Sequence, residues 1–473
     1  MTVKSDSVKH RASISRRQFI RRTGAGACAA LTSTPLLSSL LTLGTTGAMA
    51  AQGGTEGYKA LVCVFLGGGN DSFNMLTPFE KDEYNDYSAV RNDLALSRSS
   101  LLQVADTGGR NFGIHPGMGE VRQLYKQGKL CFLANVGSLV EPTDLYSYEN
   151  KQNLPVGLFS HSDQERNWHS AIPQSRVQVS GWAGRMADAL TDSSNYNPTI
   201  SMNIALNNLN LFQTGVTVTP YVINEDGATT LSGYQGRGNR GRILTNITDS
   251  LLNQNYSDPL KMKHAALGAS SINAAVDFNF ALDTIGMRTQ FPATGLGAKL
   301  AVVARAIAAR QALAQTRQVF FVEMNGWDHH DDLLNQQALM LPELSAALKA
   351  FYSATEELGV AGDVTTFTAS DFGRTLTSNG AGSDHGWGGN QIIMGGSVAG
   401  GQVYGQYPES LAQGNPLDTG RGRLIPTTSV DEYNAELARW FGIPNDSGLE
   451  IILPNIRNFY ASGSDEPPIG FMA

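Results

Sequence analysis

The stretch at residues 364–396, VTTFTASDFGRTLTSNGAGSDHGWGGNQIIMGG, decides the fold class of this chain. Residues 364–368 are rich in Val, Thr and Phe and are bounded by Asp363 and Ser370, a pattern that predicts a short buried strand. Residues 391–394, QIIM, predict the next strand. The stretch therefore predicts two strands joined by a long loop that is rich in Gly, Ser and Asn.

Charged and imidazole side chains follow the first of these strands. Asp371 and Arg374 come directly after it, and Asp384 and His385 follow in the loop. In open α/β sheets, ligands bind at the carboxyl ends of the strands. We therefore expect this loop to form half of an active site, and we expect earlier strands to supply the other half.

A second group of Asp and His residues follows another apolar run. Residues 319–324, VFFVEM, predict a buried strand, and Asp328, His329 and His330 come shortly after it. Carboxylate oxygen and imidazole nitrogen are good ligands for Zn²⁺ and other divalent cations. A single histidine is more often structural than a ligand. Here three of the chain's eight histidines lie after predicted strands and beside acidic residues, with His385 as the third, and this clustering favours a metal site.

Two further polar positions each allow two interpretations. Asp71 follows the apolar run at residues 58–66 and three glycines, so its carboxylate either points off the strand end as a ligand or forms a turn or helix cap. Ser160 and Ser162 precede a predicted helix, where a hydroxyl is either a nucleophile beside an anion-binding helix terminus or an N-cap. The N-cap interpretation is favoured for Ser162, and Ser160 stays a candidate nucleophile.

The order of predicted elements indicates an α/β fold. Apolar runs at residues 58–66, 130–136 and 319–324 and the Val/Thr/Phe-rich run at residues 364–368 predict central strands of a doubly wound, mainly parallel sheet. Helices that flank this sheet are predicted at residues 117–127, 297–316, 333–357 and 427–441. Residues 195–294 are richer in Asn, Gly, Thr and Ser and include a Gly/Arg stretch at residues 233–242, so we expect an inserted, cap-like region there.

The first 50 residues are predicted to be an export signal and not part of the fold. Residues 15–20, SRRQFI, match a twin-arginine signal, a weakly apolar run follows, and AMA at residues 48–50 predicts the cleavage site. The alternative is a transmembrane anchor, but the run is broken by polar residues and Pro35. We therefore expect the twin-arginine translocase as a partner during export, a periplasmic or secreted protein without a stable membrane span, and one domain at residues 51–473.

Composition narrows the classes of partner. The chain is 41% hydrophobic, which suffices for a large core. Its net charge is −7, although the first 50 residues carry seven basic side chains and one acidic one, so the remainder is more acidic still. This argues against nucleic acid or an anionic membrane as the main partner. Cys63 and Cys131 lie in apolar runs and are expected to be buried free thiols.

The sequence resembles the DUF1501 family of exported bacterial proteins over nearly all of the chain after the leader. The motifs that carry the resemblance are FLGGGNDSFNMLTPF, LCFLANVGSL, FSHSDQ, GWDHH, SDFGRT, DHGWGGN and TTSVDEYNAELARWFG. That family is similar to the alkaline phosphatase and sulfatase superfamily, in which a doubly wound sheet carries one or two divalent metals at the strand ends. By position, the resemblance implies metal ligands at Asp71, at Asp328, His330 and His385 for one metal and at Asp371 for a second, with Ser160 as nucleophile.

The chain departs from that superfamily at two points. Its phosphatases usually have Asp-His where this chain has Asp371-Phe372, so a second metal loses one ligand, for which Arg374 or Asp384 would have to compensate. The sulfatase nucleophile motif C-x-P-S-R is absent, since Cys131 is followed by FLA. A sulfatase that uses a modified cysteine is therefore not expected.

Two functions of different classes follow from these residues. The first is a metal-dependent hydrolase of phosphate esters, or less readily sulfate esters, with Zn²⁺ as the expected metal and Ca²⁺, Mg²⁺ or Mn²⁺ as alternatives. Arg374 would hold the anionic group of a small or polymeric ester, and Ser160 or a metal-bound water would attack it. The second is a non-catalytic protein that binds the cell envelope or an extracellular polymer and keeps a structural metal.

Overall fold

A mixed sheet of ten strands forms the centre of the computed structural model, which describes residues 57–472 except residues 196, 198 and 465. The predicted leader at residues 1–50 lies outside the described residues. The strands of this sheet are β1 Lys59–Gly67, β5 Leu130–Gly137, β6 Asn203–Leu206, β7 Tyr221–Asn224, β8 Gly227–Ala228, β9 Arg317–Asn325, β10 Val364–Ser370, β13 Gly389–Gly395, β14 Val403–Tyr404 and β15 Thr428–Ser429. Five further strands form two small sheets: β2 Leu76–Pro78, β3 Leu102–Ala105 and β4 Asn111–Ile114 in one, β11 Arg374–Ser378 and β12 Ser383–His385 in the other.

Helices cover both faces of the sheet. They are α1 Ser72–Met75, α2 Lys81–Arg91, α3 Gly119–Lys126, α4 Leu145–Glu149, α5 His161–Ser170, α6 Trp182–Ser194, α7 Gly238–Leu252, α8 Pro259–Asp283, α9 Gly295–Ala308, α10 Leu333–Glu357, α11 Val430–Phe441 and α12 Asp446–Ile452. The side chains of a strand alternate between the two faces. In β1, Val62 and Val64 join the core that includes side chains of α3, α9 and α10, whereas Leu61 and Phe65 join the core that includes α6 and α11.

The strand order is β14-β5-β13-β10-β1-β9-β6-β7-β8, with β15 beside β5. β1 is parallel to both β9 and β10, and β6 is parallel to β9 and β7, so the predicted α/β class with a mainly parallel sheet is confirmed. β13 is the exception at the centre of the sheet, because it runs antiparallel to β10 and β5. β10 leads to its neighbour β13 through the β11–β12 hairpin, without the crossover helix that a parallel neighbour requires.

Two predicted elements differ from the structure. The helix predicted at residues 297–316 ends at Ala308, because the chain turns there to enter β9 at Arg317. The region at residues 195–294, predicted as an insertion, begins with β6, β7 and β8, which extend the main sheet beyond β9. Only its second half, α7 and α8, is purely helical.

Two further expectations from the sequence concern the two cysteines and a membrane span. Cys63 and Cys131 are buried free thiols, as expected. Among the helices of the described residues, none combines the length and the apolar character that a bilayer crossing would need.

The register of the parallel strands brings three chain segments to one edge. Leu66 of β1 lies opposite Met324 of β9 and opposite Ser370 of β10. The three strands therefore end at the same level. Asp328 and Asp371, which follow β9 and β10, consequently lie at the same carboxyl edge, as the sequence predicts.

Candidate metal centre

Asp328 lies at the middle of this edge, on a tight turn that follows β9. The backbone N–H groups of Gly326 and Trp327 both donate to the Gly67 carbonyl, at 3.1 Å, and fix the turn to the end of β1. Gly68 has a φ of +118°, and a Cβ atom there would lie 2.6 Å from the Asp328 backbone nitrogen. Glycine at this position is thus required for the close approach of the two loops. The Asp328 side chain keeps 44% of its surface exposed.

Three histidine rings converge on the Asp328 carboxylate, each through its Nε2 atom. His330 Nε2 lies 3.1 Å and His385 Nε2 3.4 Å from Oδ1, and His161 Nε2 lies 3.4 Å from Oδ2. The Nε2 atoms of His330 and His385 are 2.9 Å apart. The Asp328 carboxylate and the three imidazole nitrogens, which come from three segments of the chain, therefore surround one small space.

The hydrogen bond of His161 Nδ1 explains why Nε2 of the same ring faces Asp328. His161 Nδ1 lies 2.7 Å from Oδ2 of Asp371, which is buried, and this carboxylate only accepts when ionised. The neutral ring therefore carries its proton on Nδ1 and directs the Nε2 lone pair at Asp328. His161 Nε2 is buried and has no hydrogen-bond partner among the described residues. The hydrogen bond to Asp371 also raises the pKa of His161, although burial opposes this.

His385 is held in the same way by a backbone carbonyl. Its Nδ1–H donates to the carbonyl oxygen of Phe159, 2.7 Å away. Phe159 has a φ of +69°, a conformation that is unfavourable for a bulky residue and that tends to occur at functional sites. Burial lowers the pKa of His385 and so favours the neutral ring, with Nε2 free to bind a cation.

His330 has a carboxylate partner, Asp384. Its Nδ1 lies 3.0 Å from Asp384 Oδ1, which also accepts from Asn379 at 3.2 Å. Burial would raise the pKa of Asp384, but the hydrogen bonds from Asn379, Arg421 and His330 outweigh it and lower the pKa to about 2. Asp384 is therefore an ionised acceptor at neutral pH. All three rings follow the pattern of metal-binding histidines, whose remote nitrogen donates to a carboxylate or carbonyl.

The donor set fits a divalent cation. One ligand atom each from His161, Asp328 and His385 can be chosen so that all three lie within 4.8 Å of one another. Two imidazole nitrogens and one carboxylate oxygen form a ligand set found at Zn²⁺ sites, and His330 adds a further nitrogen. The three lone pairs would repel one another unless a cation or a proton lay between them, so the arrangement suits an ion better than ordinary polar contacts.

Arg374 is buried and supports Asp328 from below. Its Nη1 donates to Asp328 Oδ1 at 2.5 Å and to the Gly68 carbonyl at 3.1 Å, while Nε and Nη2 donate to Ser383. Burial alone would raise the pKa of Asp328, but the hydrogen bond and charge of Arg374 hold it below its ordinary value. The guanidinium is already occupied by these partners. The predicted role of Arg374 as the holder of a substrate anion therefore has no support in this geometry.

The other predicted site residues lie in different surroundings. Asp371 contacts His161 and the Gly68 N–H and is not a member of the three-residue group. Asp71 is buried in an ion pair with Arg91. Arg91 pairs with Oδ2, whereas the buried Oδ1 has no hydrogen-bond partner among the described residues, so the role of Asp71 as a metal ligand stays a prediction. The Ser160 hydroxyl lies 3.4 Å from that of Ser162, and Ser160 occupies the N-cap position of α5, so its role as nucleophile stays a prediction.

Three site residues were not predicted from the sequence. His161, Glu165 and Glu323 line an open cleft of about 280 Å³, together with Asp328 and Asp371. Burial raises the pKa of Glu165 to about 6, and the nearby charges of Asp371 and Glu323 add to the effect. His161 belongs to the FSHSDQ motif, but it is the first residue of a helix, whereas the sequence argument for metal ligands rests on residues that follow strands.

Solved structures resemble this fold at low similarity. A sulfatase from Pseudoalteromonas sp., PsFucS1, matches at 8% identity and a TM-score of 0.33, over 93% of this chain and 76% of its own. The soluble domain of lipooligosaccharide phosphoethanolamine transferase A from Neisseria meningitidis matches at 10% and 0.31, over 85% and 94%. A mutant of the alkaline phosphatase PafA matches at 9% and 0.29, over 68% and 64%. At these identities and TM-scores the resemblance says nothing about activity.

The sequence itself gives the family. No curated protein matches it significantly. The model of the protein family of unknown function DUF1501 matches residues 58–418, a segment that contains Asp328 and the three histidines around it. The chain therefore belongs to the DUF1501 family.

Proposed function

We propose that this protein is a metal-dependent hydrolase of phosphate esters, or less readily of sulfate esters. The observation that carries the proposal is the convergence of three imidazole Nε2 atoms on the carboxylate of Asp328. His161, Asp328 and His385 would hold the cation, with His330 beside them. A bound divalent cation would act as a Lewis acid that polarises the ester oxygen.

The residues around these ligands fix their orientation. Asp371, the Phe159 carbonyl and Asp384 each accept a hydrogen bond from the Nδ1–H of one ring, and Arg374 orients the carboxylate of Asp328. Such outer contacts set ring rotation and tautomer before a ligand arrives. The site is therefore preorganised by the fold.

Glu165 is the group best placed to accept a proton. It lines the same cleft as Asp328, and its pKa, raised to about 6 by burial, lies close to neutral pH, where a general base is most effective. We infer that Glu165 takes a proton from an attacking water, whose oxygen forms the bond to phosphorus as the bond to the ester oxygen breaks. The leaving oxygen takes up a proton from solvent and departs as the alcohol. This favours water over Ser160 as the nucleophile, since the Ser160 hydroxyl contacts Ser162.

The charge of the cleft also favours binding of a cation. Four carboxylates line it, those of Glu165, Glu323, Asp328 and Asp371. An ester anion would be repelled from such a cleft in the absence of a neutralising charge. Metal binding is thus expected to precede substrate binding.

We further propose that the protein acts in the periplasm or outside the cell. The support is the SRRQFI motif with its apolar run and AMA site in the first 50 residues. Folding before export would allow the metal to be loaded in the cytoplasm.

Metal content and ester hydrolysis test the proposal together. The purified protein should contain or take up about one equivalent of Zn²⁺ or another divalent cation, and it should hydrolyse an aryl phosphate, diester or sulfate once loaded. Asp328→Ala and His161→Ala should lose both properties. His264→Ala, which replaces an exposed histidine on α8, should keep both. Protein that neither binds nor responds to Zn²⁺, Mn²⁺, Mg²⁺ or Ca²⁺ would contradict the proposal.

A non-catalytic protein with a structural metal is the second candidate. Phe372 is buried and packs against both His161 and His385, with ring centroids 4.8 and 4.7 Å away. An apolar ring thus occupies a wall where the related phosphatases are expected to supply a second metal ligand. This alternative predicts that the metal binds and stabilises the fold while no ester in the panel is hydrolysed.

A further inference from the structure

Helices α7 and α8 form a hairpin that extends from the edge of the sheet beyond β8. The second half of α8 is part of the core through Ala274, Ala275, Phe278 and Leu282. The first half is mostly exposed, and Gly241 is the one buried residue described in α7. The end of the hairpin where the two helices are joined is therefore held to the rest of the protein by few contacts.

This end of the hairpin exposes an unusual number of large apolar side chains. Ile243, Ile247 and Leu251 are spaced four residues apart on α7, so they form one stripe along the helix, and each is more than half exposed. Leu260 and Leu267 of α8 are 81% and 54% exposed. We call these five side chains the hairpin surface. Exposed single apolar residues are common, whereas five on one projecting hairpin, three of them in one stripe, are typical of an interaction site.

Basic side chains accompany the hairpin surface. They are all exposed, and none forms an ion pair with a carboxylate that the structure describes: Arg237, Arg240, Arg242, Lys261 and Lys263. The two acidic residues of the same segment have local partners. Asp249 accepts from the Tyr234 hydroxyl, and Asp258 caps the start of α8. A chain with a net charge of −7 therefore carries a locally positive, partly apolar projection.

The helices of the hairpin do not close tightly on each other. A largely apolar cavity of about 380 Å³ lies between them, lined by Leu231, Leu252, Ile272 and Val276 among others. The two helices and the residues that precede α7 are therefore incompletely packed against each other.

We propose that the hairpin surface docks on an anionic phospholipid bilayer. Aliphatic side chains beside exposed Arg and Lys are the signature of helices that lie in a membrane interface, with the apolar face among the acyl chains and the cations at the headgroups. A second copy of this chain would bring the same positive charges together. Nucleic acid would neutralise the charges but leave Ile243, Ile247 and Leu251 without apolar contacts.

Vesicle flotation with the full chain tests the proposal. The protein should float with vesicles of phosphatidylcholine mixed with phosphatidylglycerol, at low salt, and not with phosphatidylcholine alone. Replacing Arg237, Arg240 and Arg242 by Gln should weaken this binding about 100-fold, since each basic side chain near the surface contributes roughly a fivefold change. Ile243→Asn with Ile247→Asn should weaken it about tenfold or more.

Matched controls separate this site from general effects. Leu339→Gln, at a 70% exposed apolar position of α10, and Lys126→Gln should bind as the wild type does. Melting curves should show that all variants fold. The proposal is overturned if the wild type fails to bind the anionic vesicles, if the hairpin variants bind as well as the controls, or if the hairpin variants abolish self-association and leave vesicle binding unchanged.

Discussion

Replacing Asp371 by asparagine should weaken metal binding by a mechanism that the hydrogen bonds define. Asp371 Oδ1 accepts from the Gly68 N–H at 3.1 Å, and Oδ2 accepts from His161 Nδ1 at 2.7 Å. The asparagine carbonyl can keep the first bond, which turns the amide NH₂ toward His161. The ring then becomes an acceptor at Nδ1 and carries its proton on Nε2, where a cation would bind.

The size of the effect follows from the bond that is lost. A hydrogen bond to a charged group contributes about 1.5–3 kcal/mol. Because each 1.4 kcal/mol is a factor of about ten, the metal affinity of Asp371→Asn should fall by roughly 10- to 100-fold. Asp371→Ala leaves the tautomer of His161 free, so it should lose less metal affinity than the isosteric asparagine, even if it loses more stability.

Titration of metal-free protein with Zn²⁺ against a competing chelator measures these affinities. Asp363→Asn, at the opposite end of β10, is the matched control and should bind as the wild type does. Asp384→Asn should weaken binding through His330 by the same mechanism. Equal affinities of Asp371→Asn and the wild type would refute the tautomer argument. Asparagine binding more tightly than alanine would refute it as well.

Three stability predictions rest on other buried groups. Burial raises the pKa of Asp431 to about 8, so the folded state keeps a proton that the unfolded chain releases above about pH 4, and stability should fall as pH rises through this range. Asp431→Asn should remove this loss, on the order of 4 kcal/mol, and urea unfolding at pH 5 and pH 8 would show parallel behaviour of the two proteins if the reasoning is wrong. Arg91→Leu leaves the buried Asp71 carboxylate unpaired and should cost about 3–5 kcal/mol of stability with unchanged metal content. Loss of metal without loss of stability would instead place Asp71 in the metal site. Gly69→Ala puts a Cβ atom 2.4 Å from the Phe372 ring, so it should cost about 1–3 kcal/mol more than Gly109→Ala, which has a similar φ but open space around it; equal midpoints would contradict this.

The central strands could be predicted from the sequence because both of their faces are buried. β1 and β9 are largely apolar runs, and β10 is a fully buried run rich in Val, Thr and Phe. Their predicted bounds differ from the structure by a few residues at most. The direction of β13 could not be predicted, since an apolar run records burial and not orientation. The strands β6 and β7 are four residues long and only their sheet pairing reveals their place.

The candidate site was predictable in part for a related reason. Asp328, His330 and His385 follow strands, and the carboxyl edge of a sheet collects such residues. His161 is the first residue of α5, and the hydrophobic periodicity of the sequence does not predict that this helix packs at the carboxyl edge of the sheet. Asp71 has the right position along the chain, but the Arg91 side chain, 20 residues away, pairs with one of its oxygens.

The convergence of the three rings has a consequence for how the site loses its ion. Each neutral imidazole uses its one N–H group, at Nδ1, in a hydrogen bond that points away from the site. Departure of a cation would therefore leave the Nε2 lone pairs facing one another at separations as short as 2.9 Å. Uptake of a proton from solvent is the simplest relief of that repulsion. Occupancy and acidity would thereby be linked, because an acidic environment would release a bound cation by protonating its ligands.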